Sequence, residues 1–216
     1  MKDQLTLVTA LFDIGRGNLP EGFSRGFSHY MDCFKELLKV DYPMIIFVPE
    51  SLNDFVNHNR KGKRTHIINK ELSDLEAFEF LPQIDKIRKL PEWINRAGWI
   101  PDSPQAKLPL YNALVMSKQF FMNDASIFNP FRTKHFLWID AGISNTIGNP
   151  SGYLNEEFGE KISDMFNDNK MHYVCFPYDA ATEVHGFEKE AMYRYAGKKT
   201  EYVARGGIFG GSRDAI

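Results

Sequence analysis

Cysteine is scarce: Cys33 and Cys175 are the two present in 216 residues, and their separation fits neither a metal-binding nor a redox spacing. A disulfide framework and a cysteine zinc site are therefore excluded. Neither sign of charge dominates, since 26 basic side chains face 28 acidic ones for a net charge of −2. That balance argues against nucleic acid or an anionic membrane as a partner through bulk electrostatics, so any site for a polyanion must be local. No secretory leader pattern and no apolar run long enough to span a bilayer is visible, and internal repeats and low-complexity stretches are missing too. The expectation is a reducing, cytoplasmic location. What is there is ordinary globular material, 43% apolar and 14% aromatic. A chain of this size buries on the order of 70% of its unfolded surface, enough for a core without crosslinks. One domain over residues 1–216 is the natural reading.

Leu5 to Phe12 is a mostly apolar run rich in strand formers that breaks into the turn residues Asp13-Ile14-Gly15-Arg16-Gly17-Asn18, which reads as a buried strand feeding a loop. Phe27, Tyr30, Met31, Phe34, Leu37 and Leu38 follow at the spacing of an amphipathic helix. Met44 to Val48 is a second strand, and Thr65 to Ile68 a third. Strand, helix, strand with short connections predicts a parallel unit with a right-handed crossover, hence an α/β fold. From Lys70 to Lys107, repeated prolines cut the chain into short helices and loops, expected to form a flap over one edge of the sheet. A helix from Pro109 to Met122, a central strand at Phe136–Ile139 and a helix marked by Leu154, Phe158, Ile162, Met165 and Phe166 complete the middle of the chain. Strands at Tyr173–Phe176 and Tyr202–Ala204 close it, with a helix between them from Phe187 to Tyr195.

The helix from Pro109 carries an anomaly. Its apolar stripe runs Tyr111, Leu114, Val115, Lys118, Phe121 and Met122, leaving Asn112, Ser117 and Gln119 to face water. A lysine inside such a stripe either snorkels to solvent along its stem or meets an anion inside. Because the helix leads toward the Asp140 strand, the ammonium is expected to approach the loop at Asp140 or the one at Asp13–Gly17.

In open α/β sheets ligands bind beyond the carboxyl ends of strands, which singles out three polar groups. Asp13 to Asn18 offers Gly15 and Gly17 for close backbone approach and Arg16 for a phosphate, yet it matches neither the dinucleotide fingerprint nor a P-loop; the plain alternative is a glycine turn with a surface arginine. Asp140, directly after four apolar residues, is a costly place for a carboxylate unless it meets a metal, a hydroxyl or backbone donors; the alternative is a turn aspartate. Gly206-Gly207-Ile208-Phe209-Gly210-Gly211 would let the backbone pass close to a ligand, or simply make a bend. Glu183 and His185 read as ligand or acid/base groups, or as hydrogen-bonding partners of their own loop.

Thr9 to Arg16 (TALFDIGR), Leu108 to Lys118, Asn129-Pro130-Phe131 with Phe136 to Ile143 (FLWIDAGI), Glu183 to Phe187 and GGIFGG together resemble the HtrL/YibB-like (WlaTC/HtrL) proteins over most of the chain. That family looks like glycosyltransferases of the GT-A type, so the resemblance implies a GT-A-like, Rossmann-like single domain with a mixed, mainly parallel sheet and helices on both faces. It also implies transfer of a sugar from a nucleotide-sugar to a glycan or other hydroxyl acceptor. Carried over, Asp13, Gly15, Arg16, Lys118, Gly207 and Gly210 would hold the nucleotide-sugar, with Asp140, His185 and Glu183 as the catalytic candidates. Asp140 would also hold Mn²⁺ or Mg²⁺, standing where the first aspartate of the usual Asp-x-Asp stands. Gly142 departs from that pattern by taking the second aspartate's place. Similar enzymes continue past the glycine-rich segment, which implies a domain cut short at Ile216. A non-catalytic nucleotide- or glycan-binding module with a degenerate site is the alternative.

Overall fold

The structure is a computed structural model that describes residues 4–179, 193–194 and 196–216. Six strands form one sheet: β1 (Leu5–Ala10), β2 (Met44–Val48), β3 (Thr65–Asn69), β4 (His135–Ile139), β5 (Met171–Pro177) and β6 (Tyr202–Ser212), in the order β3-β2-β1-β4-β6-β5. The first four in that order are parallel, while β6 runs antiparallel to both β4 and β5. The protein is thus α/β with a mixed, mostly parallel sheet.

Helices α1 (Phe27–Leu38) and α2 (Asn53–Asn59) connect the first three strands. Short helices α3 (Leu81–Arg88), α4 (Pro91–Ile94) and α5 (Pro104–Lys107) follow, each opened by a proline in its first turn, where a missing N–H costs nothing. The long helix α6 (Tyr111–Phe128) leads into β4, and α7 (Ser144–Ile147), α8 (Pro150–Tyr153) and α9 (Glu156–Met165) lie between β4 and β5.

Strand periodicity divides the core in two. Leu5, Leu7, Met44, Ile46, Val48, Leu137 and Ile139 face α1 on one side, whereas Val8, Ile45, Phe47, Phe136 and Trp138 face Phe121, Met122 and Ala125 of α6 on the other. Each fully buried large side chain contributes about 1.5–3 kcal/mol. This is why β2 and Phe136–Ile139 of β4 read as unbroken apolar runs: both of their faces are covered.

Several sequence expectations need correcting. β1 leaves the sheet after Ala10, although Leu11 and Phe12 stay buried at 5% and 7% exposure; Leu11 N–H still donates to Phe47 O, and the chain then turns away. α6 continues six residues past Met122, to an Asn129 cap in the left-handed region (φ 38°). On it Ser117, expected to face water, is fully buried with its hydroxyl donating to Ala113 O, while Val115 is 41% exposed. The small Ala113, Ser117 and Ala125 let the helix sit close to the sheet. Met165 likewise faces solvent at the end of α9, and Leu154 and Phe166 are buried outside that helix. The segment from Lys70 onward packs on α6 through Glu76–Phe80, as well as making short helices. The helix expected from Phe187 to Tyr195 falls largely outside the described residues.

The largest difference is the glycine run. Gly206 to Gly211 is not a loop after a short strand; it is part of β6, with Ile208 opposite Ile139, Phe209 opposite Trp138 and Gly210 opposite Leu137. A Cβ on Gly210 would fall inside van der Waals contact with Phe136 O and stand 3.0 Å from a Phe166 ring carbon. Gly210 lets two antiparallel strands pass beneath a large aromatic, and that requirement is invisible in local sequence.

Candidate functional site

The chain runs β1, β2, β3 outward in one direction and then returns to place β4 on the other side of β1. Such a switch point leaves a crevice at the carboxyl ends of the two strands. A cleft of about 270 Å³ lies there, lined by both the Asp13–Arg16 loop after β1 and the Asp140–Ile143 loop after β4. The two loops singled out from sequence therefore meet.

The first loop is self-supporting. Gly15 has φ 74°, a left-handed conformation that L side chains rarely adopt, and its N–H donates to Asp13 Oδ1 at 2.9 Å. That turn presents Arg16, whose Nη1 donates to the Tyr30 hydroxyl at 2.6 Å and whose Nε donates to Phe23 O at 3.3 Å. The guanidinium carbon stands 5.9 Å from the ring centres of both Tyr30 and Tyr111. Arg16 is thus oriented by neutral groups, and no carboxylate among the described residues cancels its charge. Burial pushes the Tyr111 hydroxyl above its usual range, with Arg16 pulling it back; it stays protonated at neutral pH. Arg25 lines the same cleft and makes no side-chain hydrogen bond or ion pair among the described residues.

The second loop is built around Asp140. Its Oδ1 accepts from the Trp138 indole N–H at 2.6 Å and from the Lys118 ammonium at 2.7 Å. Lys118 Nζ also donates to Gly206 O at 2.9 Å and stands 5.7 Å from the Trp138 ring centre. Of the two outcomes its position allowed, the lysine in the apolar stripe of α6 therefore meets an anion. It is 17% exposed against 38% for the Asp140 side chain, so the pair sits at the cleft wall. Gly207 faces the other carboxylate oxygen, where a Cβ would stand 3.6 Å from Oδ2.

Of the candidates named from sequence, Asp13, Arg16, Lys118, Asp140 and Gly207 line this one cleft, and Gly15 shapes its loop. Gly210 does not line it; its lack of a side chain serves the packing of β6 on β4. Glu183 and His185 lie outside the described residues. Sequence reasoning missed Arg25, Tyr30 and Trp138. A signal existed for the last: an indole N–H in a buried strand needs an acceptor nearby, and Asp140 is two residues on.

Among the described residues, the donors of this cleft do not fit a divalent ion. Among the described residues no three His, Cys, Asp or Glu side chains cluster to hold one. Of the two carboxylates lining the cleft, Asp140 already carries an ammonium and an indole N–H on one oxygen, and Asp13 Oδ1 accepts the Gly15 N–H of its own turn. At Gly142 a Cβ would stand 3.3 Å from a Tyr30 ring carbon, so the aromatic that orients Arg16 occupies the space a second aspartate would need.

Among the described residues no helix is long and apolar enough to cross a membrane. No solved structure matches the chain. It is 31% identical over 181 residues to Protein HtrL of Escherichia coli (strain K12), an alignment covering 80% of this chain and 60% of that protein; the chain spans about three fifths of that relative's length. A family model described as a bacterial protein of unknown function (HtrL_YibB) matches residues 3–216. On that match, which takes in both cleft loops, α6 and the glycine strand, the chain belongs to the HtrL/YibB family.

Proposed function

We propose that this protein is a glycosyltransferase of GT-A type that takes its sugar from a nucleotide-diphosphate donor and passes it to a hydroxyl of a glycan acceptor. One observation carries the reading: Arg16, Arg25 and Lys118 line a mostly apolar cleft at the switch point of a mostly parallel sheet, with the tyrosine rings of Tyr30 and Tyr111 beside them. Three cations around a cleft with aromatic walls suit a ligand that is part polyanion and part flat ring.

In the transfer, the bond between the sugar's anomeric carbon and the diphosphate oxygen breaks while the acceptor oxygen bonds to that carbon and loses its proton. The leaving diphosphate gains charge as it departs, and preorganised Arg16 and Lys118, with Arg25 beside them, would stabilise it. Arg16 needs no rearrangement to do so, because Tyr30 and Phe23 O already hold it. Asp140, anchored by Trp138, keeps a second oxygen open beside Gly207 where an acceptor or donor-sugar hydroxyl would bind. Glu183 and His185 stay as candidates for the base that takes the acceptor's proton.

A thermal-shift panel of UDP-, GDP-, ADP- and dTDP-sugars tests the reading. A ligand at 100 times its Kd stabilises the fold by about 2.7 kcal/mol, so a matching donor raises Tm by several degrees. Release of nucleoside diphosphate from that donor on addition of a glycan mixture is the activity readout. If no nucleotide shifts the melting curve, the proposal fails. The glycine at position 142 favours a second reading, a binding module without turnover, which predicts saturable nucleotide binding and no release of product.

A further inference from the structure

Lys118 holds a place that merits more than a supporting part. Its ammonium has three hydrogens; Asp140 Oδ1 and Gly206 O take two at 2.7 and 2.9 Å, leaving the third for the cleft that Lys118 lines. A fixed positive charge therefore sits on the carboxylate where a divalent ion would otherwise be bound. Tyr30 fills the neighbouring space at Gly142 that a second carboxylate would need.

We propose that Lys118, seated on Asp140, is itself the cation that receives the donor's diphosphate, so that nucleoside-diphosphate binding needs no divalent metal. This rests on the nucleotide-sugar reading of the cleft and narrows it to a metal-independent mode. Arg16 and Arg25 supply the remaining positive charge from the opposite loop. Asp140 is then a positioning residue: it places the ammonium on the cleft wall and neutralises it while the cleft is empty, at the cost of competing with the incoming phosphate.

That competition gives the two modes opposite signs. A carboxylate that binds metal is needed for affinity, so Asp140→Asn weakens nucleotide binding. A carboxylate that merely holds a lysine subtracts from the positive potential, so Asp140→Asn, which keeps an acceptor oxygen for Trp138 and Lys118, strengthens it. Calorimetry with UDP, GDP, ADP, CDP and dTDP, in EDTA and again in Mn²⁺, reads the difference. The expected result is that one diphosphate binds the parent protein equally in both buffers, within twofold. Asp140→Asn tightens it at least threefold. Lys118→Met weakens it tenfold or more, with no recovery in Mn²⁺, and Lys118→Gln, which keeps a donor to Asp140, repeats the loss if the Met variant melts early. Binding that requires Mn²⁺, or that is unchanged or weaker in Asp140→Asn, overturns the lysine assignment and leaves the nucleotide cleft standing. Unaltered binding by folded Lys118 variants overturns it too. If the parent binds no diphosphate in either buffer, the nucleotide reading fails first.

Discussion

Arg60 is the most exacting test of how this fold is held together. It is 2% exposed, at the end of α2, and its guanidinium donates to the carbonyls of Leu38, Val40, Tyr42 and Arg64 and to Thr65 Oγ1. One side chain thus ties the end of α1 and the turn into β2 to the start of β3. Burial lowers its pKa to about 10, so it remains charged at neutral pH. Replacing it with Met keeps most of the aliphatic stem and removes the donors. Leu38 O retains Lys63 Nζ at 3.1 Å and Arg64 O retains Met44 N–H at 3.1 Å, which leaves the carbonyls of Val40 and Tyr42 without a donor. A buried unsatisfied carbonyl costs roughly 1–3 kcal/mol. Two such groups, offset by no longer burying a cation, make Arg60→Met destabilising by about 3 kcal/mol. Urea unfolding at pH 7 measures it through the midpoint at unchanged slope. A loss below about 1 kcal/mol would mean that water reaches both carbonyls and that the guanidinium is not what closes this corner.

His135 is 4% exposed, and burial holds its imidazole below the ordinary 6.5, with Asn167 pulling the other way. Above pH 6.5 the ring is neutral in both states; below it the unfolded chain takes up the proton first, so stability falls as pH drops from 6.5 toward the folded pKa. His135→Gln should show a shallower fall in urea midpoint between pH 7.5 and 5 than the parent, and equal slopes would refute this. At the cleft, Gly142→Ala puts a methyl 3.3 Å from the Tyr30 ring and disturbs the residue that orients Arg16. Nucleotide affinity is expected to fall severalfold with little change in Tm, measured by the same calorimetry; undiminished affinity would show that Tyr30 does not set the Arg16 position.

Local patterning was enough to settle most of the frame. β2 was legible to the residue because Met44–Val48 is buried on both faces and bounded by polar turns, and α1 because its stripe keeps one period from Phe27 to Leu38. The pairing of the two cleft loops was also readable, since parallel strands put their carboxyl ends on one side of a sheet. The misplacement of Lys118 among apolar neighbours pointed to an anion or to solvent, and the structure chose Asp140. Interactions between distant segments decided the rest. Gly206–Gly211 has the composition of a loop but becomes the second half of β6, where at Gly210 only a residue without a side chain fits against the Phe136 carbonyl and the Phe166 ring. Ser117 is buried because a small residue lets α6 approach the sheet, and Tyr30 governs both Arg16 and Gly142 across segments far apart in the chain. Periodicity encodes which face of an element turns inward. What that face then meets depends on shape and charge brought in from elsewhere, so the composition of the cleft belonged to the tertiary structure.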